Sequence, residues 1–251
     1  MGTRNLTMVY LDGEFKVSQY GQWDGNPGGQ GASALNFLLN TFDRETFISK
    51  VKALVKPDQK RIDEINADEN WYKTYPHLSR DMGAKILECI QKSDKGLEHL
   101  PRIDFAADSL MCEFVYVLDL DKNTFEIYRG FNKRPLTKKD RFFFLISKSP
   151  GNPSHRSKED QYYPVKLMRA YSLKKLPTVD QMILECDKEG EATEIIREIH
   201  EANIVPINPD DVGDSPNRYL NQFMRKHRKD LPVLMGLSEA LDKRIEEILK
   251  E

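Results

Sequence analysis

Thr3-Arg-Asn-Leu-Thr-Met-Val-Tyr-Leu-Asp-Gly-Glu-Phe-Lys-Val-Ser-Gln-Tyr20 reads as two β-rich runs hinged on Asp12-Gly13. Asp-Gly between extended runs is a strong hairpin signal, because a type I′ turn needs positive φ at both central positions and these residues tolerate it. In the first run Leu6, Met8 and Tyr10 alternate onto one face; in the second, Phe15 and Val17 are expected to share a face, opposed by Lys16 and Ser18. A strand so near the first residue needs a sheet to hold it, which predicts an ordered N-terminal segment.

Working outward, a second hairpin is expected from Cys112–Leu120 and Phe125–Phe131, two runs rich in aromatic and β-branched residues on either side of Lys122-Asn123. Between the hairpins the periodicity becomes helical. Ala32–Asn40 puts Leu35, Leu38 and Leu39 on one side, with Ser33 as a candidate cap. Residues 43–56 repeat Phe47, Val51, Leu54 and Val55 at helical spacing and meet a stop at Pro57. Asp58–Asn70 is charged and fits helix or loop, and Tyr75-Pro76-His77 is a turn. Arg80–Ser93 is expected to be an amphipathic helix with Met82, Ile86, Leu87 and Ile90 inward, and Asp81 and Lys85 forming an ordinary i,i+4 pair on its wet side. Phe142–Ile146 and Val165–Tyr171 are further strand candidates, separated by the polar loop Pro150–Asp160.

Hairpins interleaved with amphipathic helices predict an α+β fold, a mostly antiparallel sheet with helices on one or both faces. From Pro177 on, aromatics become rare and Val179–Lys188, Glu191–Ala202, Pro216–Arg228 and Leu237–Lys250 all read as helices. A boundary near residue 175 therefore divides an α+β core, 1–175, from a helical C-terminal extension, 176–251, whose amphipathic end suits self-association or docking onto its own core.

Composition narrows the function classes. With 31% charged residues, 39% apolar residues and a formal net charge of −2, the chain of 251 residues has the balance of a soluble globular protein and no excess charge to capture nucleic acid or an anionic membrane. Apolar runs such as Phe142–Ile146 are too short to span a bilayer. No basic start precedes an apolar block, so no signal peptide is expected. Cys89, Cys112 and Cys186 are odd in number and widely spaced, as expected of reduced thiols in a cytoplasmic protein. The five histidines have no ligand or triad spacing, and neither a metal nor a cofactor is expected. The basic run Arg225–Lys229 is diluted by acids on both sides and reads as a solvated helix face.

The densest cluster of ligand-capable residues is Gln19-Tyr-Gly-Gln-Trp-Asp-Gly-Asn-Pro-Gly-Gly-Gln-Gly31, which holds five of the fourteen glycines and opens into the first helix. A strand, a Gly-rich turn and a helix in succession put free N–H groups beside a positive helix end. Gly28, Gly29 and Gly31 can cradle a phosphate or carboxylate, or form a mobile loop; they lack the Lys-Ser/Thr of a P-loop. Asp24 can serve as general base, metal ligand, hydroxyl acceptor or turn cap. Trp23 can stack on a base, a sugar or a guanidinium, or anchor the loop to the core. Gln22 and Gln30 crowd the same turn, and Arg4 on the first strand can pair with a substrate anion or with Asp24. A second cluster, Asp104, Asp108, Cys112 and Glu113, sets carboxylates beside a thiol; its plainer reading is a core cysteine and an Asp108-Ser109 turn cap.

Met1-Gly-Thr-Arg, the Gln22-Trp-Asp-Gly25 and Gly29-Gln-Gly31 box, and the run from Asp104 to Asp121 resemble a broad set of uncharacterised proteins of phages, bacteria and fungi, over roughly residues 1–175. This chain has Asn26 where those carry Tyr. That resemblance implies no activity. A looser one, to N-terminal nucleophile hydrolases and class II glutamine amidotransferases, rests on the early strand, its Asp-Gly hairpin and the later hairpin at 113–130. It implies a nucleophile whose own α-amine is its base; Gly2 occupies that position, and only its removal exposes Thr3. Three functions therefore stand as expectations. One is an amide hydrolase, or a degenerate relative, acting on a compact polar molecule through Thr3 and Asp24. Another is a phage-type binding protein that sequesters a nucleotide-like ligand or covers a host protein. The third is an interaction scaffold.

Overall fold

A computed structural model describes residues 2–148 and 162–187. The first hairpin pairs β1 (Asn5–Leu11) with β2 (Glu14–Gly21), and Asp12 and Gly13 have φ of 53° and 80°, the positive pair a type I′ turn requires. A bulge at Lys16 interrupts the ladder, so Val9 opposes Val17 while Tyr10 opposes Phe15. It overturns the expected alternation: Val17 enters the core on one face of the sheet and Phe15 packs on the other, because one extra residue reverses every side chain beyond it.

Five helices follow before the sheet resumes: α1 (Ala32–Asn40), α2 (Arg44–Lys52), α3 (Gln59–Ala67), the single turn α4 (Trp71–Thr74) and α5 (Ile86–Lys92). Asp43 and Asp58 cap α2 and α3 by accepting from Thr46 N at 2.7 Å and Arg61 N at 2.8 Å. The helix expected over 43–56 ends early because Val55 leaves it to pair with the backbone of Leu97 and His99. The one expected over Arg80–Ser93 is confined to α5: Gly83 takes φ +49°, which no continuous helix admits, and a tight turn precedes Ile86. The inward residues Ile86, Leu87 and Ile90 are buried as expected.

The chain then returns as β3 (Phe114–Asp119), β4 (Thr124–Arg129) and β5 (Lys166–Ser172). Strand order is β2-β1-β3-β4-β5; β1 and β3 run parallel and the other neighbours antiparallel, so the fold is α+β on a single mixed sheet. A parallel pair needs a long crossover, and the five helices lie within it. The two hairpins are also latched at their turns, where the Asp121 carboxylate accepts from Asp12 N at 3.0 Å and Gly13 N at 2.9 Å.

Each face of the sheet has its own core. Under the helices lie Leu35, Phe47, Ile86, Leu87, Tyr116 and Leu118. Residues 179–187 form a sixth helix, α6, whose Met182 and Cys186 join this core. The opposite face packs Leu6, Met8, Val115 and Val117 against Ala106, Phe142 and Leu145. Phe142–Ile146 is therefore not a strand: Phe143–Lys148 is 3₁₀-helical, and the three-residue repeat brings Phe142 and Leu145 to the sheet while Phe144 stays 53% exposed. This face also buries charge, with Arg141 bridging Asp119 and Glu126. The compact units of the chain are Met1–Cys186 and Asp187–Glu251. The helices expected at 191–202, 216–228 and 237–250, and the loop at 150–160, lie outside the described residues. Among the described residues no helix is long and apolar enough to cross a membrane.

Candidate ligand site at the end of the sheet

Parallel pairing of β1 and β3 puts Arg4 beside Glu113, although they are far apart in the chain: Arg4 N donates to Glu113 Oε1 at 3.2 Å and Glu113 N to Arg4 O at 3.0 Å. β2 ends here too. The Gly-rich turn and most of the second cluster thus meet at one end of the sheet.

The turn itself is built from its own contacts. Asn26 accepts from Gly29 N with its side chain at 2.9 Å, Gln30 N reaches Asp24 O at 2.7 Å, and Gly31 N reaches Asn26 O at 3.3 Å. These amides are thereby engaged within the turn, and the phosphate cradle expected from Gly29 and Gly31 has lost those donors. Gly28 stands at the open side. Gly29 is required for close approach, since a Cβ there overlaps the Asp24 carbonyl oxygen. Asp24 is exposed, has φ of 51° and contributes its backbone to the turn. Gln30 is a cross-brace: its amide donates to Trp23 O at 3.2 Å and accepts from Ala84 N at 2.7 Å, tying the turn to the entry of α5. From below, the buried Tyr116 hydroxyl donates to Gly25 O at 2.8 Å.

Trp23 is neither free nor a core anchor. It is 47% exposed, and its indole N–H donates to Asp81 Oδ1 at 2.9 Å. Asp81 therefore serves the Trp instead of pairing with Lys85, because it precedes the helix. Gln22 N donates to Arg80 O at 3.0 Å, while its side chain accepts from Tyr20 Oη at 2.6 Å. Thr3 contributes its carbonyl, which accepts from Gly25 N at 2.9 Å, and Gly2 lies so close under the Trp23 indole that a Cβ there would overlap the ring.

In the second cluster, Cys112 is fully buried and burial drives its thiol well above the usual cysteine range, with the nearby Asp108 and Glu113 charges adding to the effect and Arg4 opposing it. A buried thiol held protonated in this way is a poor nucleophile. Asp108 caps the turn leading to β3, accepting from Met111 N at 3.3 Å. Asp104 stands apart, ion-paired in solvent with Lys148 at 2.8 Å.

What sequence reading missed lies beside the turn. A cleft of about 510 Å³ opens between the end of β2, the α4 turn and the segment that seals β2's outer edge. The seal is made by Arg102 N donating to Ser18 O at 3.0 Å and by Ser18 N donating to His99 Nε2 at 2.9 Å. Tyr20, Trp71 and Tyr72 give the cleft aromatic walls, and Arg80 and Arg102 give it positive charge. Both arginines are exposed, and neither guanidinium has an ion pair or hydrogen bond among the described residues. Asp81, the cleft's carboxylate, is already held by Trp23. Burial raises the Tyr20 phenol, while Arg4 and Arg80 pull it down. His99, behind the wall, is buried and pushed down to about 4 by desolvation, and His77 lies close enough to add to the shift. As an acceptor from Ser18 N it is the neutral imidazole. Adjacent Trp71-Tyr72 in an otherwise charged stretch was the one signal that could have pointed here.

No protein-family model matches the chain, and no curated protein and no solved structure matches it either.

Proposed function

We propose that this protein binds a small anionic molecule with a planar ring, of the nucleotide type, in the cleft beside the Gly-rich turn. The observation that carries this reading is the pair of arginines, Arg80 and Arg102, without a side-chain partner among the described residues and facing the same space as Tyr20, Trp71 and Tyr72. Guanidinium groups recognise phosphate or carboxylate oxygens, and aromatic faces accept a base. The cleft volume falls in the range of small-molecule sites. In this reading the Gly-rich turn is a positioning device. It holds Trp23, and through it one oxygen of the Asp81 carboxylate.

Binding is favoured over hydrolysis by Gly2. The Thr3 mechanism needs a free Thr3 α-amine, whereas Gly2 packs against the indole at the hub of the turn. Isothermal titration of the full chain with a panel of mononucleotides tests the proposal. A ligand of micromolar affinity, weakened by about 1–3 kcal/mol in Trp71→Ala or Arg102→Ala and recovered chemically unchanged, is the expected result. Turnover of the ligand, or affinity indifferent to both substitutions, would overturn it.

A further inference from the structure

A second cleft lies on the charge-bearing face of the sheet, and we infer that it is a separate binding site for a phosphate ester with an apolar body. It has a volume of about 700 Å³ and opens between the first hairpin, β4 and the segment around Arg141. It is bounded by the other end of β2, at Glu14 and Phe15, and shares none of its lining with the first cleft.

The charge balance of its walls is lopsided once each acid is followed to its partner. Glu14 pairs with Lys16. Asp140 caps its own turn, accepting from Thr137 N at 2.7 Å and Thr137 Oγ1 at 2.9 Å. Glu126 is buried and saturated: Oε1 accepts from Arg141 Nη2 at 2.8 Å and Thr124 Oγ1 at 3.0 Å, while Oε2 accepts from Arg141 Nε at 2.8 Å and Tyr128 Oη at 2.6 Å. On the other side of the balance stand Lys122, Lys138 and Lys139, all exposed and without an ion pair among the described residues. Across the lining, Lys122, Lys138, Lys139 and Arg141 outnumber Glu14, Glu126 and Asp140 by four to three, and the three exposed ammonium groups are the ones without an ion pair among the described residues, so the cleft wall carries a net positive charge.

Arg141 gives this charge a fixed centre. Its Nε and Nη2 face Glu126 and Asp119, and the Tyr10 ring lies 4.8 Å from its guanidinium carbon. Nη1 has no acceptor among the described residues, which leaves two N–H groups on a side chain that lines the cleft. A guanidinium clamped on two edges is preorganised, and the lysines add mobile point charges around it. This combination suits the several oxygens of a phosphoryl group better than a single carboxylate. Phe144 and Leu167, 53% and 47% exposed, line the same cleft and offer apolar surface to the rest of the ligand.

Phenyl phosphate and inorganic pyrophosphate are the probes, titrated into the full chain and followed by ³¹P NMR and calorimetry. Both are expected to bind. The exposed double substitution Lys138→Ala/Lys139→Ala is expected to weaken both by roughly tenfold or more. Phe144→Ser is expected to weaken phenyl phosphate about threefold or more and leave pyrophosphate unchanged, since only the former presents apolar surface. Arg102→Ala, in the first cleft, is expected to alter neither. Failure of both probes to bind at millimolar concentration would overturn the site. So would binding unaffected by the double lysine variant, or binding that Arg102→Ala abolishes, which would assign the anion to the first cleft. Because the mononucleotide titration reads Trp71 and Arg102 and this one reads Lys138, Lys139 and Phe144, either proposal can fail without the other.

Discussion

The two faces of the sheet are held by different physics. Under the helices the core is apolar around Val9, Leu35 and Leu118, and the polar groups buried beside it, Asn5, Thr7, Gln19 and the Tyr116 hydroxyl, are neutral. Its stability depends on filled volume. The opposite face is apolar around Leu6, Met8 and Phe142, but at its edge it buries Asp119 and Glu126 around one arginine. Burial opposes the Arg141 charge; the hydrogen bonds it donates to Glu126 and Asp119 outweigh that cost and hold it firmly protonated. Stability there depends on charge balance. Both candidate binding clefts open beside β2, one at each of its ends, and the second is built over this charged edge. Arg141, which balances these buried carboxylates, also lines the second cleft.

The sharpest way to break this contrast is to remove one group from each face. Arg141→Met strands two buried carboxylates and is expected to destabilise the fold by roughly 3–5 kcal/mol near neutral pH. Urea melts at stepped pH should show that deficit, relative to the parent, shrink on acidification, because protonating the stranded carboxylates removes the unpaired charge. Leu35→Ala, fully buried under the helices, is expected to cost about 3 kcal/mol through lost contacts and a cavity, with no comparable dependence on pH. Equal pH profiles for the two variants would abolish the distinction between the faces.

A smaller effect comes from His99, which seals the edge of β2. Its folded value of about 4 lies below the ordinary 6.5, so the unfolded chain binds the extra proton first. Stability that is complete above about 6.5 should fall as pH drops toward 4, by on the order of 2–3 kcal/mol. His99→Gln, which keeps an acceptor for Ser18 N, should flatten that window; an unchanged slope would place the titration elsewhere. The smallest effect is Trp23→Phe. It removes one exposed hydrogen bond to Asp81 and should lower stability by only about 1 kcal/mol. It also releases the carboxylate toward Arg80, so nucleotide affinity should fall by more than stability does.

Local chemistry made much of the fold legible. The Asp12-Gly13 turn, the second hairpin, the span of α1, the buried set of α5 and the α+β class all follow from short-range patterns, although α1 turns Phe37 inward, leaves Leu39 exposed and is not capped by Ser33. Among the readings that failed, three have reasons that rest on single residues or short runs. The bulge at Lys16 leaves no compositional trace, so Phe15 and Val17 were placed on the same face. Phe142–Ile146 is apolar throughout, and a continuous apolar run does not distinguish a strand from a 3₁₀ turn. Gly83 has the residue type to break a helix, but the Gln30 side chain packed where its Cβ would stand comes from a distant part of the chain.

The sequence by itself determined the elements and the density of the Gly-rich turn, because turn geometry, capping and amphipathic period act over a few residues. Tertiary structure decided what the turn packs against. Only the parallel pairing of β1 with β3 brings Arg4 to Glu113, and only the bonds of β2 and the turn to Ser79, Arg80 and Arg102 bring those residues around one cleft. The partners of each amide, indole and carboxylate lie far along the chain. Whether a ligand-capable group is free to meet a ligand therefore depends on contacts that no local pattern encodes.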